Sequence, residues 1–121
     1  MSYLNSFSLL NKRREWVFRW GEADWQVIRA DGTIEIGTRF SARTPAGEYV
    51  HFRTSGIRSG PPEVLDALLR GEPVDASAYY FRVAVYLETS APRLAALERS
   101  IFVASAIRGA DSVRYTAYRV T

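Results

Sequence analysis

With 121 residues, 47% of them apolar and 24% charged, the chain has the size and make-up of one globular domain, 1–121, which argues against disorder and against a second core. It has no cysteine and a single histidine, His51, which excludes disulfides and thiolate chemistry and leaves no ligand set for a zinc site; no metal or cofactor is expected. The net charge of +3 rests on arginines spread along the chain, no apolar run approaches the roughly 18 to 20 residues of a membrane span, and residues 1–10 lack a signal-peptide pattern, so a cytoplasmic protein with neither nucleic acid nor membrane as partner is expected.

Two short apolar runs, Phe7–Leu10 and Trp16–Trp20, flank the polar stretch Asn11–Glu15 and predict an N-terminal hairpin within residues 1–20. Asp24–Arg29 reads as a strand that Asp31-Gly32 turns back. Thr33–Phe40 follows with period-2 alternation: Ile34, Ile36, Thr38 and Phe40 on one face, Thr33, Glu35, Gly37 and Arg39 on the other. Pro45-Ala-Gly47 predicts a turn, and Glu48–Arg53 a strand with Val50 and Phe52 opposite Tyr49, His51 and Arg53. The Ser- and Gly-rich stretch to Gly60 reads as a loop. Val64, Leu65, Leu68 and Leu69 at helical spacing, with Pro61-Pro62 before them and Gly71 after, predict a helix within residues 61–71. Tyr79–Glu88, Ser100–Arg108 and Val113–Val120 read as strands, with a short helical turn at Pro92–Arg99. Short strands joined by tight turns predict a mainly β fold, an antiparallel barrel with one short helix.

Gly21-Glu-Ala-Asp-Trp-Gln26 followed by Asp31-Gly32 resembles a GxADWQ…DG segment of the domain-of-unknown-function 3237 family. Arg53 with Gly56 and Arg58, Gly60-Pro-Pro-Glu-Val-Leu65, Arg70-Gly-Glu-Pro-Val74, Tyr79-Tyr-Phe-Arg82, Glu88-Thr89, Ser100 with Phe102-Val103, and Tyr118-Arg-Val120 continue the match in order. The resemblance implies an allene-oxide-cyclase-like barrel with a lumenal pocket and brings no catalytic residues with it. Residues 1–20 depart from the family's Gly-rich strand pair. Arg93–Glu98 lacks its aromatic, Trp and Asn, and Ala106 stands where glycine is common.

The residues themselves nominate a site. A carboxylate desolvated in a barrel rises in pKa and can move protons, which nominates Asp24 and Glu88 as catalytic. Tyr80, Arg82, Tyr86 and Glu88 share one strand face, suited to a polar aromatic or carboxylate ligand; the alternative is a solvated outer face. His51, Arg53 and Trp25 are further substrate-binding candidates, with Arg58 at a barrel mouth. Asp24, Arg53, Tyr80, Arg82 and Glu88 are expected to share a cavity. The function expected is small-molecule binding, with cofactor-independent isomerase, cyclase or lyase chemistry. The alternative is a non-catalytic ligand-binding or interaction module. Trp16, Phe18 and Trp20 on one face of the terminal hairpin predict a homodimer that covers them.

Overall fold

The computed structural model describes residues 4–9, 15–18, 23–109 and 112–120, with side chains placed over 25–109 and 113–120. Eight strands form one sheet: β1 (Leu4–Leu9), β2 (Glu15–Phe18), β3 (Ala23–Ile28), β4 (Ile34–Arg43), β5 (Tyr49–Ser59), β6 (Tyr80–Thr89), β7 (Phe102–Arg108) and β8 (Ser112–Arg119). Their order is β2-β1-β8-β7-β6-β5-β4-β3. Every described pairing is antiparallel except that of β1 with β8, which is parallel.

The sheet curls into a barrel around the largely apolar inward faces of β4 to β8. Phe40 and Val50 are fully buried, and so are Phe52, Val85 and Ala117. Phe40 of β4 stacks on its neighbour Phe52 with ring centroids 5.1 Å apart. It also stacks, at 6.0 Å, on Tyr115 of β8, a strand four places away in the sheet. Only a sheet rolled on itself brings those two rings together, and β2 accordingly comes within 8 Å (Cα–Cα) of β4. The side chains of Trp16 and Phe18, and all of Trp20, on which the expected dimer rests, lie outside the described residues.

Two helices cover the barrel. α1 (Pro62–Leu69) follows β5 directly, buries Leu65 and Leu68, and brings Leu65 against the β3–β4 turn at Gly32. Near the other end of β6, a short 3₁₀ turn, Pro92–Leu94, runs into α2 (Ala95–Glu98). Glu98 there accepts a hydrogen bond of 2.6 Å from the Thr89 amide, and Arg93 pairs with Glu48. Gly71 ends α1 with φ of +74°, a left-handed conformation that costs a residue with a Cβ about 1 kcal/mol or more. Gly71→Ala is therefore expected to lower stability by about 1 kcal/mol, read as a shift in the urea midpoint at constant slope.

One expectation needs correction. The Ser- and Gly-rich stretch after Arg53 is not a loop: β5 runs on to Ser59, paired on both sides with β4 and β6. Composition misled because Gly56 sits where a side chain would be crowded. A Cβ on Gly56 would strike the Arg82 carbonyl and lie 2.7 Å from Val83 Cα. Arg58 is consequently a strand residue inside the barrel, 2% exposed, and no gate at a loop mouth.

Candidate functional site

Alternation along the strands decides which candidates face the interior. Along β5, Val50, Phe52, Thr54 and Arg58 are buried, while Arg53 is exposed. Along β6, Phe81, Val83, Val85 and Leu87 are buried, while Tyr80, Arg82, Tyr86 and Glu88 are exposed. The expectation of one cavity shared by Asp24, Arg53, Tyr80, Arg82 and Glu88 is thus corrected. Arg53, Tyr80, Arg82 and Glu88 occupy the outer surface, since the inner face of their strands is taken by large apolar side chains. The side chain of Asp24 lies outside the described residues; its backbone is in register with Thr38, whose hydroxyl is hydrogen-bonded to that of Thr54.

The structure gathers five of the outward candidates, His51, Glu88, Trp25, Arg53 and Tyr86, into two hollows. In the first, Ser41 Oγ lies 3.1 Å from His51 Nδ1, and Glu88 stands opposite His51 on the next strand. Tyr49, Thr89, Ser90 and Glu98 complete an open depression. In the second, Trp25 and Arg53 meet Tyr86, together with Arg39, which the sequence did not nominate. Tyr80 and Arg82 join neither; they stack on each other at 5.3 Å, and Arg82 Nη1 donates to the Phe81 carbonyl.

The interior holds a different constellation, at the end of the barrel where β5 leads into α1. Arg58 stands opposite Ile34 on β4 and Phe81 on β6, with its guanidinium 5.4 Å from the Phe81 ring centre. Arg108 shares the inward face of β7 with Phe102, Ala104 and Ala106. Nε and Nη2 of Arg58 and Nη1 of Arg108 are buried without a hydrogen-bond partner among the described residues. Burial first, and then the charge of Arg108, push the Arg58 guanidinium down to about 10; Tyr79 and Tyr115 act in the opposite direction. It remains a cation at neutral pH. The Tyr79 oxygen accepts a 3.0 Å hydrogen bond from the Arg108 amide, which leaves its own O–H to be donated. The end of the barrel therefore presents three guanidinium nitrogens without a partner among the described residues, together with the Tyr79 phenol, against apolar and aromatic walls.

Arg108, Tyr79 and Tyr115 were missed by sequence reasoning, although a signal existed. Arg108 falls in phase with Phe102, Ala104 and Ala106, so period-2 counting places a cation on the buried face. Arg58 falls in phase with Val50 and Phe52 once the strand is carried through Gly56.

The family described as "Protein of unknown function (DUF3237)" matches residues 17–120. The chain belongs to the DUF3237 family. A UPF0311 protein of Rhodopseudomonas palustris is 41% identical over 98 residues, 81% of this chain and 64% of that protein. One from Clostridium acetobutylicum is 35% identical over 101 residues, 84% of this chain and likewise 64% of its own length. The chain thus spans less than two thirds of the curated relatives it matches. Among solved structures, a conserved Rhodopseudomonas palustris protein of unknown function superposes with a TM-score of 0.81 at 31% identity, covering 99% of this chain and 91% of its own. A "beta-barrel like protein" of Acinetobacter baumannii gives 0.67 at 31% identity, over 90% and 79% of the two chains. These likenesses agree with the barrel seen here and attach no activity to the DUF3237 fold.

Proposed function

We propose that this barrel binds a small organic anion, a carboxylate above all, between Arg58 and Arg108 at the end of the barrel where β5 leads into α1. One observation carries the reading: guanidinium N–H groups are buried there with no carboxylate among the described residues to meet them. A buried unpaired charge costs several kcal/mol, and an orphan donor about 1 to 3 kcal/mol more. A carboxylate would offset both through charge-assisted hydrogen bonds, and the planar fork of arginine suits it. The Tyr79 hydroxyl would supply a further donor.

The catalytic version of this reading, a cofactor-independent isomerase, cyclase or lyase, needs a proton carrier at the anion. Glu88 faces the opposite side of the sheet. Tyr79 is the hydroxyl that stands beside Arg108. The non-catalytic version, a ligand carrier, needs the cations alone, and it is the one the orphan donors support directly.

Thermal unfolding tests the site with acetate, propionate and phosphate as probes, at matched ionic strength against chloride. Saturation at about 100 times Kd stabilises by about 2.7 kcal/mol, which for a domain of this size raises Tm by roughly 10 °C. The shift is expected with a carboxylate and is expected to vanish in Arg58→Met. Equal, negligible shifts with all three probes would overturn the proposal.

A further inference from the structure

We propose that the outer face of the barrel carries a second site, built from Trp25, Arg39, Arg53 and Tyr86, that takes a flat aromatic carboxylate. It lies on the other side of the sheet from Arg58 and does not depend on the interior site. Arg39 of β4 and Arg53 of β5 are direct cross-strand partners, so two like charges stand side by side. Such pairs are destabilising unless something of opposite sign lies between them. Neither arginine makes an ion pair among the described residues. Surface arginines are normally free to swing apart into water, but Arg53 is held: its guanidinium packs 4.8 Å from the centre of the Tyr86 ring, on the strand beyond.

The opposite wall is the Trp25 indole. Trp25 pairs with Gly37 across β3 and β4, and its ring lies so flat on the glycine that a Cβ there would be only 2.6 Å from Cζ2. Gly37 thereby lets a large side chain lie down along the sheet, though Trp25 stays 54% exposed. Indole, phenol and two guanidiniums, with Ser55 beside them, border a half-enclosed hollow of about 160 Å³. An apolar cavity of about 150 Å³ holds a benzene ring, so this volume is enough to seat one ring. Aromatic walls favour a flat apolar body, and paired forks favour a planar carboxylate.

The test uses the full chain, with benzoate as probe and the indole Nε1–H resonance of Trp25, assigned through Trp25→Phe, as readout. Cyclohexanecarboxylate keeps the charge and removes the flat ring; benzyl alcohol keeps the ring and removes the charge. Benzoate is expected to move the resonance saturably, and both controls to bind about tenfold more weakly, the worth of one charge-assisted hydrogen bond or ring contact. Arg39→Met with Arg53→Met is expected to weaken benzoate by about tenfold or more, and Tyr86→Leu to weaken it without touching charge. Arg58→Met should leave the titration unchanged, which separates this site from the interior one. An unmoved resonance, equal binding of the two carboxylates, or loss of the response in Arg58→Met would each overturn the proposal.

Discussion

Replacing Arg58 with methionine is expected to stabilise the ligand-free protein by about 1 to 3 kcal/mol and to abolish its response to small carboxylates. The two effects have one cause. Arg58 is 2% exposed, and among the described residues its charge is favoured by the Phe81 ring, with the guanidinium 5.4 Å from the ring centre, and by Tyr79 and Tyr115, but by no carboxylate. A desolvated cation over an aromatic face gains about 2 kcal/mol, less than the several kcal/mol that burying the ion costs. Methionine has a similar unbranched stem, fills the space and carries no charge. Urea unfolding of both proteins, with and without acetate, measures the effect. A variant less stable than the parent without ligand would show that Arg58 is satisfied as it stands, and would remove the argument for an anion.

The pH dependence follows with a definite sign. Burial lowers the folded-state pKa of Arg58 from its ordinary value to about 10, so the unfolded chain holds this proton more tightly. Stability from this group then rises with pH between those values. Its cost is fully present below about pH 10 and is relieved as the guanidinium deprotonates above it. The stability gap between parent and Arg58→Met should be constant through neutral pH and narrow above pH 10.

Gly56→Ala is expected to cost about 3 kcal/mol, a large share of the 5 to 15 kcal/mol that such a domain has. The added Cβ would collide with the Arg82 carbonyl and sit 2.5 Å from Val83 Cγ1 and 2.7 Å from Val83 Cα. These atoms belong to the neighbouring strand, and backbone cannot swing aside as a side chain can. Relief requires β5 and β6 to part in the middle of the sheet, where Gly56 pairs with Ile36 on one side and Val83 on the other. The urea midpoint should fall at unchanged slope. A loss under about 1 kcal/mol would mean the sheet spreads easily at this point.

The amino-acid sequence by itself determined the elements that alternation and turn chemistry encode. Ile34, Ile36 and Phe40 face inward as their period-2 spacing says, and so do Phe81, Val83, Val85 and Leu87. The helix after Pro61-Pro62 and the turn at Gly32 are equally local, since capping and positive φ are properties of a few consecutive residues. The strand through Thr54–Ser59 was not legible. Ser and Gly are turn formers in isolation, and only the close approach of β6 makes a glycine the residue that fits. The site divided along the same line. Sequence named Trp25, Arg53 and Tyr86, but not that they meet around Arg39, because cross-strand register is set by pairing between distant segments. It put Arg58 in a loop at the rim, whereas closure of the barrel carried it inside toward Arg108. Periodicity says which side of its own strand a residue occupies; whether that side becomes a desolvated interior, and what else is buried there, is decided by how the sheet rolls up.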